Sequence, residues 1–218
     1  MTTSSPARAP RFDDAFRAAF RDLVLWRRDV RRFKTDPVDS ALIHALIELA
    51  GRSPSVGHSQ PWRFVLVERP DRRHAIRASF ASANARALEG YSGERRRHYA
   101  RLKLYGLDAA PVHLAVFADD ATEAGAGLGR QSMPETLAYS VVAAVQTFWL
   151  AARAHGLGVG WVSILEPEAV VAALDIPQTW RLIAYLCVGW PEEEHLDPEL
   201  ERSGWQPKIA TAQLIFRR

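Results

Sequence analysis

The chain has 218 residues, of which 48% are hydrophobic, so it is long enough to form one domain with a substantial core. Its 28 Lys and Arg residues only slightly outnumber its 25 Asp and Glu residues, and the formal net charge is +3. This excess comes from local arginine groups and not from a long basic arm, which disfavours nucleic-acid binding. Cys187 is the only cysteine, so a disulfide framework is excluded.

Residues 1–9 contain no apolar segment, and we expect a disordered lead followed by a single domain at residues 10–218. The longest apolar stretch, residues 137–152, is interrupted by polar side chains and is too short and too polar to span a bilayer. No group of cysteines and histidines suggests a metal. We therefore expect a soluble cytoplasmic protein with no metal and with no membrane or nucleic-acid partner.

The first half of the chain predicts helices and two strands. Residues 12–26 have helical spacing of apolar side chains. The segment DPVDSALIHALIELAG predicts a helix with Asp36 as its cap and Pro37 in its first turn. The expected buried stripe of that helix consists of Leu42, Leu46 and Leu49. WRFVLVE and PVHLAVFAD alternate as strands, and two charged, exposed helices are expected between them, at residues 69–89 and 93–103.

The second half predicts the longest helix at residues 134–155, capped by Ser132 and ended by Gly156. It is apolar around most of its circumference, which indicates burial on more than one side and suggests a dimer interface. GVGWVSIL and WRLIAYLCVGWP predict strands, EPEAVVAALDI predicts a short helix, and AQLIF is a candidate fifth strand. Strands alternating with helices favour an α/β or α+β sandwich.

The segment WRRDVRRF places four arginines around one acid, Asp29. Arg27 and Arg31 are four residues apart and would share a face on a helical turn. Together with Arg28 they could clamp a phosphate through charge-assisted hydrogen bonds. The alternative is a solvated basic patch on the surface.

The loop RSPSVGHSQPW offers Ser55, Ser59 and Gln60 as hydrogen-bonding groups, and Gly57 allows close approach of the backbone to a ligand. Such a loop suits a planar polar ring or a sugar chain, although ordinary turn chemistry explains it equally well. In HGLGVGWVSIL, three glycines would let backbone N–H groups approach a ligand beside the hydroxyl of Ser163. Tight helix-to-strand packing is the alternative for the glycines, but it does not explain the hydroxyl.

Three motifs together resemble the flavin-binding nitroreductase family: Arg-Arg-x-x-Arg, Pro-Ser-x-x-x-Ser-Gln-Pro-Trp before a strand, and Gly-Leu-Gly-x-Gly-Trp after a long helix. The resemblance is closest to the aerobic 5,6-dimethylbenzimidazole synthases, the flavin destructases of vitamin B12 synthesis, and runs from about Arg21 to Trp205. It implies an α+β fold with a central mixed β-sheet flanked by helices, a long buried central helix and a homodimer.

The resemblance also implies a reaction. Flavin mononucleotide (FMN) would lie between the subunits and, in its reduced form, would be the substrate, with O2 as co-substrate. The flavin would be fragmented to 5,6-dimethylbenzimidazole and erythrose 4-phosphate, and a separate flavin reductase would supply reduced FMN.

The same resemblance assigns roles to residues. It implies that Arg27, Arg28 and Arg31 hold the phosphate and ring oxygens of FMN. Asp29, where ordinary nitroreductases tend to have serine, and Ser163 are implied as catalytic residues that also contact the flavin. Residues 103–107 resemble a lid over it. The other implied flavin contacts are Val30, Ser55, Ser59, Gln60 and Leu107.

We expect Asp29 to accept or relay a proton from the ribityl chain while that chain is cleaved. Its alternative role is only to order the arginines, which lower its pKa, whereas desolvation under a lid raises it. Two alternative functions remain possible, one enzymatic and one of binding only. One is an NAD(P)H-dependent FMN nitroreductase or quinone reductase, against which Asp29 and the lid argue. The other is a flavin carrier or sensor without turnover.

Overall fold

The structure is a computed structural model that describes residues 9–218, so the disordered lead expected at residues 1–9 falls almost entirely outside the described residues. Seven helices surround a four-stranded sheet in the described part. They are α1 (Asp14–Trp26), α2 (Ser40–Ala50), α3 (Pro70–Glu89), α4 (Gly93–Tyr99), α5 (Thr136–Ala154), α6 (Pro167–Leu174) and α7 (Glu199–Arg202).

The strands are β1 (Trp62–Leu66), β2 (Val112–Asp119), β3 (Gly158–Val162) and β4 (Trp180–Gly189). They pair antiparallel in the order β1-β2-β4-β3, so β3 is an edge strand. The α+β class is confirmed, and the parallel component of the expected mixed sheet is the isolated bridge between Asp29 and Val159. The candidate fifth strand is wrong, because Thr211–Leu214 forms a 3-10 turn.

The sheet is covered on both faces by apolar side chains. Helices α2 and α5 pack on one face, where the core contains Leu46, Leu114, Val145 and Phe148. Helices α3 and α6 and the chain before β2 pack on the other face, around Phe117 and Tyr185. By length and composition α5 could cross a membrane, yet half of its most apolar window is buried inside the fold, as in the core helix of a globular domain.

Helix α2 starts later than expected. Its cap is Asp39, whose carboxylate accepts a hydrogen bond from the backbone N–H of Ala41 at 2.8 Å. Residues 37–39 are not helical, so Asp36 does not cap the helix, although a proline after it would have suited that position. The buried face also differs from the predicted stripe, since Leu42 is only partly buried and Leu49 is half exposed. The buried residues of α2 are Ile43, Leu46 and Ala50.

Two other helix ends also differ from expectation. Helix α4 ends at Tyr99 and not at residue 103, so residues 100–103 lie outside the helix. Helix α5 starts at Thr136 without any side-chain cap, so Ser132 is not its cap. The Thr136 hydroxyl instead stabilises the first turn by donating a hydrogen bond to the carbonyl of Met133 at 2.6 Å.

One ionisable pair lies deep in the core between β2 and β4. The Nδ1 atom of His113 shares a hydrogen bond of 2.9 Å with the hydroxyl of Tyr185, and His113 is 1% exposed. Burial, reinforced by the positive charges of Arg73 and Arg77, lowers the pKa of His113 from 6.5 to about 3. The imidazole is therefore neutral in the folded protein at any pH above about 3.

We expect this histidine to make the fold acid-sensitive. Below pH 6.5 the imidazole of His113 binds a proton in the unfolded chain but stays neutral in the folded protein. The free energy of unfolding is therefore highest above pH 6.5 and decreases as the pH falls toward 3. The loss approaches about 1.4 kcal/mol per pH unit for one proton. Between pH 4 and pH 7, the melting temperature of His113→Gln should depend less steeply on pH than that of the wild type. Tyr185→Phe keeps the buried histidine and should show the wild-type dependence. An unchanged slope in His113→Gln would contradict this origin.

Candidate functional site

The segment that carries Asp29 is extended and lies along the edge of the sheet. Helix α1 ends at Trp26, and Arg27 already has extended backbone. The N–H of Val30 donates to the carbonyl of Val159 at 3.0 Å, which forms the parallel bridge beside β3. The expectation that Arg27 and Arg31 share a helical face is therefore wrong, because the helix stops before them.

Glycines in β3 allow this close pairing. A Cβ atom on Gly160 would lie 2.1 Å from the carbonyl oxygen of Val30, and one on Gly158 would lie 2.8 Å from its side chain. Both positions must therefore lack a side chain if the segment is to reach the strand. Gly158 and Gly160 therefore serve packing between chain segments, which is the alternative given above for the glycines of this motif.

The Asp29 carboxylate is fixed by two donors. Its Oδ1 accepts from the backbone N–H of Trp161 at 2.8 Å, and its Oδ2 accepts from Nε of Arg31 at 2.9 Å. Burial raises the pKa of Asp29 above its ordinary value of 3.8, and the Arg31 charge and the Trp161 N–H oppose that rise. About 33% of the side chain is exposed, so solvent weakens each of these influences.

Arg31 also reaches the lid segment, which we define as residues 103–107. Its Nη1 donates to the carbonyl of Lys103 at 2.7 Å, and the Arg31 side chain is only 12% exposed. At the other end of the lid segment, Leu107 is 1% exposed and belongs to the core, where it does not line the opening beside Asp29.

The remaining arginines of WRRDVRRF point in different directions. The guanidinium of Arg27 lies 4.9 Å from the ring centre of Trp149. Arg28 donates through Nε to the carbonyl of Leu196 at 2.7 Å, and its Nη2 donates to the same oxygen. Arg32 pairs with the carboxylates of Glu193 and Glu199. Only part of the cluster therefore faces Asp29, and the acidic segment after β4 neutralises Arg32.

Ser163 follows the last residue of β3 and is exposed. It therefore lies at the same sheet edge as Asp29, two residues after the Trp161 N–H that holds the carboxylate. The cavity that contains Asp29, Val30 and Arg31 encloses only about 40 Å³. A flavin ring needs a site of several hundred Å3, so it would have to lie on the open edge.

The serine-rich loop forms a second group of predicted residues. Gly57, His58 and Gln60 have positive φ angles, and the Ser55 hydroxyl holds the turn by accepting from the N–H of Gln60 at 3.0 Å. Ser59 is 3% exposed, and its hydroxyl has no hydrogen-bond partner within residues 9–218. A buried unpaired hydroxyl carries a free-energy cost, which a ligand acceptor or donor would remove.

The two groups attach to opposite parts of α5. Trp149 donates from its indole nitrogen to the carbonyl of Arg28 at 3.3 Å, whereas the Ser140 hydroxyl accepts from the N–H of Val56 at 3.0 Å. Trp149 lies nine positions after Ser140 along the helix, a distance of about 14 Å at 1.5 Å per residue. Within one chain, the Asp29 edge and the serine-rich loop are thus two separate groups.

The available groups fit FMN. Arg27 and Arg31 carry positive charge suited to an anionic phosphate or a ring oxygen, and Nη2 of Arg31 makes no hydrogen bond within the described part of the chain. The hydroxyls of Ser59 and Ser163 can bond polar ring or ribityl atoms. Within residues 9–218, no group of three or more His, Cys, Asp or Glu side chains is placed to hold a metal ion.

Sequence reasoning missed three contributors to the site. Trp161 and Lys103 act through backbone atoms, so their side chains give no signal of the role. Trp149 carries a detectable signal, because an indole inside a long apolar helix needs a partner for its N–H.

Comparison with known proteins decides the family. The nitroreductase family model matches residues 24–190, most of the chain. The chain belongs to the nitroreductase family. A 5,6-dimethylbenzimidazole synthase of Rhodospirillum rubrum is 56% identical over 199 residues, covering 91% of this chain and 94% of the relative. One from Rhodobacter capsulatus is 46% identical over 200 residues, covering 92% and 97%.

Nitroreductase-family structures share the fold. Iodotyrosine deiodinase, crystallised with FMN and 3-iodo-L-tyrosine, aligns with a TM-score of 0.69 at 26% identity, covering 81% of this chain and 91% of that one. The α+β architecture described above is therefore one that this family uses.

The pairing of the Asp29 segment with β3 can be tested at Gly160. Gly160→Ala forces Cβ against the Val30 carbonyl, and overpacking of this kind costs about 1–3 kcal/mol. We expect lower thermal stability and weaker FMN binding, measured by calorimetry and flavin fluorescence. Gly90→Ala is the matched control, since its Cβ meets only the Ala87 carbonyl at 3.4 Å. Equal behaviour of the two variants would refute the packing role.

Proposed function

We propose that this chain is a 5,6-dimethylbenzimidazole synthase, which fragments reduced FMN with O2 to 5,6-dimethylbenzimidazole and erythrose 4-phosphate, with the pyrimidine part of the ring system released separately. The observation that carries the proposal is the Asp29 carboxylate, held by Trp161 and Arg31 at the open edge of β3 beside Ser163. Relatives that cover nearly the whole chain carry this enzyme name. An acid fixed at that edge suits proton transfer from a bound polyol chain.

Reduced FMN supplies the ring system and the ribityl chain when it is bound. Arg27 and Arg31 would hold its anionic groups, because guanidinium donors match phosphate and carbonyl oxygens. Burial raises the pKa of Asp29, which makes its carboxylate a stronger base than that of a free aspartate. Asp29 thus accepts or relays a proton from the ribityl chain, and Ser163 donates a hydrogen bond nearby.

The proposal includes a homodimer that completes each site. The Asp29 edge of one copy would meet the serine-rich loop of the other, which accounts for the separation of the two groups along α5. Large exposed apolar side chains are available for this contact. They include Phe12, Phe16, Phe20, Leu49, Tyr139, Val142, Leu214, Ile215 and Phe216.

The need for a flavin reductase follows from the same chemistry. The substrate is already reduced, so a separate flavin reductase must supply it, and we place both proteins in the cytoplasm, with O2 as the co-substrate. No metal, membrane or nucleic acid takes part in the proposed reaction.

The direct test mixes the protein with reduced FMN and air and measures 5,6-dimethylbenzimidazole by chromatography. Wild-type protein should form it, and Asp29→Asn should bind FMN yet form it at least ~100-fold more slowly, because general base catalysis is lost. Wild-type turnover by Asp29→Asn would remove the catalytic role. Rapid, stoichiometric NAD(P)H oxidation without this product would identify an ordinary nitroreductase, and only oxidised FMN and peroxide would identify a carrier.

The same assay covers the second proposed catalytic residue. Ser163→Ala should slow product formation with little change in FMN affinity. Ser92→Ala is the matched control, because Ser92 is exposed and its side chain makes no hydrogen bond within the described residues. Unchanged product formation in Ser163→Ala would exclude Ser163 from the mechanism.

The homodimer is tested by light scattering. Phe16→Glu places a charge among the stacked rings of Phe12, Phe16 and Phe20, so we expect it to shift the protein toward monomer and weaken FMN binding. Ala81→Glu adds the same charge on the exposed face of α3 and should leave the dimer intact. A monomeric wild-type protein that still forms product would contradict the shared site.

A further inference from the structure

One guanidinium joins the Asp29 carboxylate to the lid segment. Arg31 donates from Nε to Oδ2 of Asp29 at 2.9 Å and from Nη1 to the carbonyl of Lys103 at 2.7 Å. The guanidinium is planar, so holding one nitrogen in place restricts the direction of the other. Arg31 is 12% exposed, and little water competes for either bond.

The lid segment is anchored at its far end by packing. A Cβ atom on Gly106 would lie 2.3 Å from the ring of Phe33, a residue that is 1% exposed. The carbonyl of Gly106 accepts from the N–H of Ala110 at 3.1 Å, and Leu107 is buried. The lid segment therefore meets the site through the Lys103 carbonyl, and Gly106 sets how closely it sits on the core.

We propose that Arg31 is a positioning residue that couples the placement of the lid segment to the Asp29 carboxylate. With the lid segment seated, the Lys103 carbonyl holds the guanidinium so that Nε faces Asp29. With the lid segment displaced, Arg31 loses one of its two anchors, and its charge moves away from Asp29. The effect of this coupling on turnover rests on the proposed function, but the coupling itself does not.

The charges around Asp29 give the direction of the effect. Burial has the largest influence on the pKa of Asp29 and raises it, and Arg31 is the largest opposing influence. The Trp161 N–H also lowers this pKa, and the negative charge of Glu199 raises it. Cys187, on the neighbouring strand β4, is buried, and its own pKa is raised to about 12, so it stays neutral. Loosening Arg31 therefore raises the pKa of Asp29.

The test follows the Asp29 carboxyl carbon by ¹³C NMR through a pH titration of flavin-free protein. Arg31→Gln should raise the Asp29 pKa by about 1 unit, the low end for loss of an adjacent opposite charge. Gly106→Ala, whose Cβ would clash with the Phe33 ring and meet the backbone carbonyl of Arg31 at 3.5 Å without reaching its guanidinium, should displace the lid segment and raise the Asp29 pKa by a smaller amount. In the Arg31→Gln background, Gly106→Ala should cause no further change in the Asp29 pKa, because the side chain that links the lid segment to Asp29 is then absent. Gly90→Ala is the silent control.

The contradicting results are specific. An equal effect of Gly106→Ala with and without Arg31, or no effect in either background, overturns the coupling. Hydrogen exchange gives a second readout that does not depend on the folding of Gly106→Ala. Reciprocity requires that Arg31→Gln increase amide exchange in residues 103–107, and unchanged exchange also overturns the proposal. If the Asp29 pKa values of the single and double variants are as expected but the protein forms no 5,6-dimethylbenzimidazole, only the proposed function is refuted.

Discussion

The site depends on one backbone contact, the hydrogen bond from Val30 to Val159 beside the edge strand β3. That contact exists because Gly158 and Gly160 leave room for the Val30 segment. Once it is made, Asp29 lies beside β3, where the Trp161 N–H and Nε of Arg31 hold its two carboxylate oxygens. The position of the acid is thus a property of the sheet, and the loops around it only adjust its surroundings.

The four arginines of WRRDVRRF make different contacts around Asp29. Arg28 and Arg32 bind the segment after β4, Arg27 stacks on Trp149, and Arg31 binds Asp29 and the lid segment. Each of the four arginines therefore makes a contact within the chain. Nη2 of Arg31, close to Asp29, makes no hydrogen bond within the described residues.

Much of the fold could be predicted from the sequence, because the elements follow strong local patterns. The alternation in PVHLAVFAD and the apolar run of α5 identify β2 and the central helix directly. The start of α2 was missed because two aspartates compete as caps, and only Asp39 is followed by unbroken helix. For the site, motif resemblance singled out Asp29 and Ser163, which the structure brings to one edge of the sheet. The extended path of residues 27–33 depends on long-range pairing with β3, which no local pattern encodes.

The central claim is that a strand-fixed carboxylate lies against the chain of FMN that is cleaved. A crystal structure of the protein with FMN measures this directly, as the distance from the Asp29 carboxylate to the ribityl atoms. We expect a carboxylate oxygen within about 3.2 Å of a ribityl hydroxyl, or joined to it by one water, with the Trp161 hydrogen bond kept. A ribityl chain bound elsewhere, with Asp29 turned away from it, would contradict the account.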